Sequence, residues 1–321
     1  MAVATTQAAP TPIPALTRIA PAMDAAASPT TTRATAPATG VAAMRASPIK
    51  TRALTPTLPD ADAGILFIET SGCLPMCGHG TIGIITFALE HGLIRPRTPG
   101  AFKVETPAGV IEISYTQEGA RVTSVRLRNV ASYLAARDVE IDAPDFGRLK
   151  LDVAYGGNYY AIIEPQGAYE GLDQLGASRI VELSAKVRAL VREKFEPVHP
   201  LEPSIKGVSH VLWADAPKGA GADARNAVFY GDRAIDRSPC GTGTSARMAQ
   251  LAARGKLKVG DRFVHESYIG SRFVGRVEAG AKLAEHDAII PSIEGSAIAT
   301  GFNTIWIDDE ADPFWRGFQV V

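Results

Sequence analysis

Charge of one sign, long apolar runs, cysteine and aromatic residues are all scarce in this 321-residue chain, and each shortage excludes something. Lys and Arg number 33 against 34 Asp and Glu, a net charge of −1, so no electrostatic footprint for nucleic acid or an anionic membrane is present. No apolar run approaches the ~18 residues of a membrane-spanning helix. Three cysteines do not make a disulfide framework and suit a reducing cytoplasm better. No nicotinamide, flavin or pyridoxal signature appears. The Gly80–Gly83 and Gly241–Gly243 stretches follow a cysteine and lack the acidic residue after a second strand that a dinucleotide site needs. No cofactor is therefore expected. What is present is 46% apolar content, enough for a globular chain with two modest cores.

The stretch Leu74-Pro75-Met76-Cys77-Gly78-His79-Gly80-Thr81-Ile82-Gly83 returns in the second half of the chain as Arg237-Ser238-Pro239-Cys240-Gly241-Thr242-Gly243-Thr244-Ser245. Each copy reads Pro, then Cys-Gly-x-Gly-Thr, then small and apolar residues. A Gly closes each run at the same distance from its Cys, Gly92 after Cys77 and Gly255 after Cys240. Further on, Phe102–Thr106 ends at Gly109 and Phe263–Ser267 at Gly270, again with one shared spacing. Two units on one plan is the simplest account. Within each, a Gly-rich turn followed by an apolar run and a closing Gly predicts a loop, a helix N-terminus and a helix. The run after Cys77 is apolar on nearly every side (Ile82, Ile84, Ile85, Phe87, Ala88, Leu89), so that helix is expected to be buried all round.

Both Cys77 and Cys240 then sit at helix mouths, where unpaired N–H groups and the positive end of the helix dipole meet. A free thiol ionises near pH ~8.5, and a helix N-terminus lowers that value. The N–H groups of Gly78, His79, Gly241 and Thr242 are placed to hold a carboxylate. If the two mouths face each other, one thiolate can remove a proton from the carbon beside that carboxylate while the other thiol returns one from the opposite face. That is a cofactor-independent racemase or epimerase.

The motifs MCGHGTIG and DRSPCGTGTSA resemble those of the proline racemase family, from about residue 61 to the C-terminus. ETSGCLPMCGHGTIG, Gly156–Ala161, Gly207–Val211 and FVHESYIGSRFVGRVE look most like its 4-hydroxyproline 2-epimerase branch. The resemblance implies that Cys77 and Cys240 are the acid/base thiols. It places Gly78, His79, Asp236, Gly241 and Thr242 around the substrate, with Asp236 as partner of its ammonium group. Related 3-hydroxyproline dehydratases typically carry Thr in place of the second cysteine, so Cys240 favours stereoinversion. The implied reaction converts trans-4-hydroxy-L-proline into cis-4-hydroxy-D-proline. Proline racemisation and an inactive relative are the alternatives. The implied fold is mixed α/β (α+β): two similar subdomains, each a curled β-sheet around a central buried helix, as in diaminopimelate epimerase, after a disordered N-terminal segment. The expected partner is a small-molecule imino acid, with a homodimer compatible.

Residues 1–60 differ from the rest. Ala, Thr and Pro make up 38 of them, with no aromatic residue, no Glu and one Gly, a composition that cannot offset chain entropy. The segment is Arg-containing and acid-poor, as transit peptides are, but no Arg-rich amphipathic helix and no secretory apolar region is evident. The resembled family begins with a strand carrying a His-Thr-x-Gly-x-Pro type motif, which is not readable here. Residues 1–60 are accordingly expected to be disordered or mis-translated, Ala/Thr/Pro/Arg-rich text being what a GC-rich gene yields out of frame. Residues 61–145 form the first expected subdomain, completed by 295–321, and 146–294 the second.

Pattern and turn residues predict strands at 64–69, 102–106, 110–115, 122–128, 149–155, 159–163, 208–214, 226–230, 262–267, 272–278, 288–291 and around Ile298 and Ile305. Arg179–Phe195 has the apolar period of a surface helix. Cys73-x3-Cys77 lacks a second ligand pair, so no metal is expected, and Cys73 is read as a small apolar strand-end residue. His79 is too near Cys77 in sequence for a thiol-hydrolase pair. His210 and His265 are read as structural, and Trp213 and Tyr230 as core.

Overall fold

In the computed structural model, residues 41–43, 50–69, 72–143, 146–167, 169–302, 308 and 310–313 are described. The strands are β1 (Val41–Ala43), β2 (Lys50–Leu54), β3 (Ala63–Glu69), β4 (Gly72–Leu74), β5 (Ala101–Thr106), β6 (Gly109–Glu118), β7 (Arg121–Arg128), β8 (Ser132–Ala143), β9 (Gly147–Tyr155), β10 (Tyr159–Ile163), β11 (His210–Asp215), β12 (Ala224–Tyr230), β13 (Ala234–Ile235), β14 (Arg262–Glu266), β15 (Arg272–Leu283) and β16 (His286–Gly295). Three helices complete the described chain: α1 (Gly78–Glu90), α2 (Leu172–Lys194) and α3 (Gly241–Ala253). Among the described residues, no helix is long and apolar enough to cross a membrane.

One sheet runs through the chain in the order β1-β2-β3-β5-β6-β7-β16-β15-β14-β12-β11-β10-β9-β8, and β8 returns to pair with β16. The strands from β16 to β8 therefore close into a barrel. Irregular pairing between Leu134 and Val139 of β8, and between Val277 and Ala279 of β15, bends these strands as bulges do. The strand β16 is the hinge of the topology. Its Ala288 and Ile289 pair with β8, while Ser292–Gly295 pair with β7. Pro291, which has no N–H to give a ladder, stands where the partner changes.

Inside the barrel lies α3, with all but two of its residues buried. The remaining arm, β1 to β7, packs on α1, whose residues Gly78–Thr86 and Ala88 are all buried. The helix α2 covers the outside of the barrel with Ile180, Leu183, Val187 and Val191. It contains a break at Gly176 (φ 67°, ψ 157°), so the regular helix coincides with the predicted 179–195 segment. Trp213 donates to Ser184 Oγ (2.8 Å) in this outer layer, and Tyr230 packs in the core around α1.

Several expectations need correction. Strands β1 and β2 lie inside the 1–60 segment, β2 pairing with β3 from Lys50↔Ile68 to Leu54↔Gly64. Thr57 is tied down as well: its N–H donates to Glu105 Oε2 at 2.7 Å. The sequence Lys50-Thr51-Arg52-Ala53-Leu54 is a weak strand former; the edge of β3 decides its conformation. Residues 1–40 lie outside the described residues. The expected boundary at 145/146 separates β8 from β9, yet these two pair along their length and both belong to the barrel. The crossing back to the α1 side begins within β16, at Ser292, not after Glu294. No strand forms at Ile298, which is exposed; β16 already has neighbours on both sides there. Ile305 lies outside the described residues. Cys73, expected as a small apolar strand-end residue, lies in the middle of β4 and is exposed; β4 is an edge strand that pairs with β3.

The two central helices meet at their N-termini. A Cβ at Gly78 would stand 2.7 Å from the Gly241 Cα, and one at Gly241 would stand 2.7 Å from the Gly78 Cα. Neither glycine has a positive φ, so only this approach forbids a side chain. Helix propensity alone favours Gly→Ala by about 1 kcal/mol, whereas overpacking costs about 1–3 kcal/mol. Gly78→Ala should therefore destabilise, while Gly280→Ala, with open space around it, should shift stability by less than about 0.5 kcal/mol. Urea unfolding of both variants checks this; a stabilised Gly78→Ala would refute the contact.

Candidate active site

The contact between helix mouths brings the two repeated cysteines to one place. Each is the N-cap of its helix. The Gly80 N–H donates to Cys77 Sγ at 3.4 Å, and the Gly243 N–H donates to Cys240 Sγ at 3.4 Å. An N-cap side chain accepts from the third helical residue, and a sulfur in that role has the end of a helix dipole aimed at it. Both thiols are almost wholly buried.

Their backbones differ. Cys77 is extended (φ −143°, ψ 108°), while Cys240 has φ 63° and ψ 117°, a region costly for any residue with a Cβ. Hydrogen bonds on both sides hold it there. The Cys240 N–H donates to Ser238 Oγ (3.1 Å) and its carbonyl accepts from Thr244 N–H (2.8 Å).

An ion pair joins the two helix mouths: His79 Nδ1 stands 3.1 Å from Asp236 Oδ2. Ser238 braces it, its N–H and hydroxyl both donating to Asp236 Oδ1 at 3.0 Å, with its oxygen 3.4 Å from His79 Nδ1. Burial opposes charge on His79, but the Asp236 carboxylate and then Cys77 overcome it and hold its pKa well above 6.5. Burial likewise opposes charge on Asp236, and His79 with the Ser238 donors brings its carboxyl below the usual value. Cys240 goes the other way. Burial, aided by Asp236, pushes its thiol up to about 12 against the pull of His79, Tyr160 and the Gly243 N–H. Cys240 is thus a thiol beside an imidazolium–carboxylate pair.

The residues expected around the substrate fall in this one locus. Gly78 and Gly241 form the helix contact, His79 and Asp236 the ion pair, and Thr242 Oγ1 lies 3.7 Å from Cys240 Sγ. Three neighbours, Asn158, Tyr160 and Ser238, went unread, and a fourth, His210, was read as structural. Asn158 donates to the Met76 carbonyl (2.7 Å) and to Thr242 Oγ1 (3.2 Å). Tyr160 Oη lies 3.2 Å from Cys240 Sγ and 2.6 Å from Thr242 Oγ1. Ser238 braces the ion pair. His210 stacks on the Tyr160 ring at 4.7 Å, its pKa lowered to about 3 chiefly by burial. The alternation of β10 holds a usable signal. Tyr160 and Ile162 face the cluster that contains Cys240, and Tyr159, Ala161 and Ile163 face the outer core. Among the described residues, no group of three or more His, Cys, Asp or Glu could hold a metal ion.

The stability contributed by the ion pair has a definite pH window. The raised His79 pKa contributes stability that is complete below 6.5 and is lost as pH rises through its folded value. The lowered Asp236 pKa contributes stability that is complete above 3.8 and is lost as pH falls through its folded value. Removing one partner of a buried pair costs about 3–5 kcal/mol. Asp236→Asn should therefore lose about that much at pH 6, and the deficit should shrink at alkaline pH as His79 loses its proton. Denaturant unfolding at both pH values checks this; a deficit constant with pH would count against the pairing.

The chain matches the profile of the family described as Proline racemase over residues 45–319. It is 59% identical over 266 residues to a 4-hydroxyproline 2-epimerase of Ancylobacter novellus, covering 83% of this chain and 80% of that one. Over the same length it is 58% identical to a 4-hydroxyproline epimerase of Brucella ovis, with the same coverage. Among solved structures, a hydroxyproline epimerase from Agrobacterium vitis with bound trans-4-hydroxy-L-proline superposes with a TM-score of 0.79 at 31% identity. That match covers 86% of this chain and 80% of the other.

Proposed function

The chain belongs to the proline racemase family, and on that premise we propose that it inverts Cα of free 4-hydroxyproline, trans-4-hydroxy-L-proline giving cis-4-hydroxy-D-proline. The observation that carries the reading is the pair of cysteines capping two helices whose N-termini touch. The hydroxyproline epimerases among its relatives support the substrate.

The substrate carboxylate binds at the junction of the helix mouths, where N–H groups of Gly78, His79, Gly241 and Thr242 and two dipole ends converge. Asp236 receives the ammonium group, so that His79 and the substrate share one carboxylate. Cα then lies between the sulfurs. A thiolate on one face takes the Cα proton, and the electron pair left behind spreads into the carboxylate. The helix-end donors stabilise that developing charge without rearrangement. The thiol on the other face gives its proton to Cα. One C–H bond breaks and one forms, no electrons leave, and the two sulfurs exchange protonation states. Because burial keeps Cys240 protonated, delivery from Cys240 needs no prior proton transfer to it.

This chemistry needs two free sulfurs, which a reducing compartment such as the cytoplasm keeps available. We read the two halves as related units, since each places Cys-Gly-x-Gly-Thr at the same turn of a buried helix.

Turnover in D2O should place deuterium at Cα of the inverted product. Cys77→Ser and Cys240→Ser should each lower kcat by a factor on the order of 10²–10⁴, the usual worth of a positioned acid or base. Inversion without solvent label would end the two-thiol reading. Proline and 4-hydroxyproline compared at equal enzyme decide between epimerase and proline racemase; a site that hydrogen-bonds the ring hydroxyl should discriminate strongly against its absence.

A further inference from the structure

Around Cys240 the two repeats part company. The residue two places after Cys77 is His79, a titratable group bound to Asp236. The residue two places after Cys240 is Thr242, a neutral hydroxyl, and β10 adds a second hydroxyl, Tyr160. The Tyr160 side chain is fully buried and its ring is stacked on His210. Its Oη lies 2.6 Å from Thr242 Oγ1 and 3.2 Å from Cys240 Sγ, and Thr242 Oγ1 lies 3.7 Å from the same sulfur.

The protons of this cluster can be counted. Asn158 donates both to the Met76 carbonyl and to Thr242 Oγ1, so it supplies hydrogen and takes none from the cluster. Two hydroxyl protons remain, one on Tyr160 and one on Thr242. The 2.6 Å contact between the two oxygens uses one of them, whichever residue gives it. The other is left for Cys240 Sγ, from Tyr160 at 3.2 Å or from Thr242 at 3.7 Å. The contact itself fixes no donor; with the thiol's own proton pointing elsewhere, the sulfur has two donors, this hydroxyl and the Gly243 N–H at 3.4 Å.

We propose that Tyr160 is the positioning residue of Cys240: its hydroxyl keeps a donor on the sulfur, which turns the thiol proton away from the barrel interior and holds the thiolate once that proton has gone. Tyr160 acts through Cys240. The inference deepens the two-thiol reading and rests on it for its role in turnover. The arrangement itself is testable without any reaction. The shorter contact belongs to Tyr160, so the loss of its hydroxyl leaves only the longer Thr242 contact. Loss of the Thr242 hydroxyl leaves the Tyr160 proton with no competitor for Cys240.

The test uses the full chain carrying Cys73→Ser and Cys77→Ser, so that Cys240 is the sole thiol. Iodoacetamide alkylation is followed by mass spectrometry between pH 7 and 9, where its rate follows the thiolate fraction. Tyr160→Phe, which keeps the ring and its stacking, should slow alkylation about tenfold, equivalent to about one pH unit in the ionisation of Cys240. Thr242→Val should stay within about threefold of the parent, because a hydrogen bond to the sulfur survives. Tyr159→Phe, which removes an equally buried phenol bonded to Tyr133 instead, should have no effect. In the chain with all cysteines present, Tyr160→Phe should lower kcat about tenfold, leave KM within about twofold, and displace the pH profile of kcat by about one unit.

Unchanged alkylation in Tyr160→Phe overturns the inference whatever happens to activity. If Tyr160→Phe does not fold, a large slowing in Thr242→Val overturns it instead. Slowed alkylation in Tyr160→Phe together with inversion that persists in Cys240→Ser would uphold the role of Tyr160 at the sulfur and refute the two-thiol reaction.

Discussion

Two helix N-termini in backbone contact are the constraint on which the rest of this molecule depends. Like ends of two dipoles repel, and the first turns of both helices meet where the Gly78 and Gly241 backbones touch. Without negative charge, that junction would be unfavourable. The Asp236 carboxylate occupies one side of it, and the two cysteine sulfurs accept one N–H from each helix. The geometry that makes the junction costly without an anion also makes it a receptor for one. In the proposed reaction a substrate carboxylate would complete this electrostatic arrangement.

The barrel and the arm keep the helices in this position. The helix α3 is enclosed by a ring of strands and has little freedom to withdraw. The helix α1 is held by the β1–β7 arm, and the arm is attached to the ring along one strand, β16, through residues 292–295. Asn129 stands at the fork where β7 leaves for β8. Its Nδ2 donates to the Gly156 carbonyl and to Ser245 Oγ, which couples the fork to the β9–β10 turn and to α3. Gly156 is itself pressed against that helix: a Cβ there would lie 2.3 Å from the Thr242 carbonyl oxygen. The turn is thereby wedged beside the second helix mouth, and it delivers Tyr160 to the sulfur and Asn158 to Thr242.

Much of this was legible in the sequence, and the reason is repetition. Cys-Gly-x-Gly-Thr at Cys77 and at Cys240 marks two helix starts with identical chemistry, and the closing glycines at 92 and 255 give the helix lengths. The strands with clear alternation, such as β5 to β7, were equally plain. The illegible parts owe their structure to partners distant in sequence. Strand β2 has no strong strand formers and exists because β3 offers it an edge. Strand β8 carries Ala135-Ala136-Arg137-Asp138 across its bulges, and Asp138 has φ 54°, so its apolar pattern is interrupted where it bends. Ser238 and Asn158 read as ordinary turn residues until the second half of the molecule is placed against them.

The departures from the repeat matter more to chemistry than the repeat itself. Identical helix mouths would give two sulfurs of equal proton affinity, and neither would be set to give while the other takes. His79 against Thr242 breaks that equality. A charged imidazolium lies beside the first sulfur, bound to Asp236 from the other half. Neutral hydroxyls lie beside the second, deep enough that burial keeps it protonated. In the proposed two-thiol reaction the asymmetry cannot be large at the moment of transfer, because the sulfurs would exchange protonation states at each inversion and both directions must remain accessible. Substrate reconciles these demands. On the proposed reading its ammonium group would take part of the Asp236 charge that raises the Cys240 pKa, and its carboxylate would take up the helix-end donors from the opposite direction. Binding in that way would relieve part of what holds the Cys240 thiol up in the free protein, so the sulfur that burial keeps protonated would give its proton more readily with the molecule to be inverted in place.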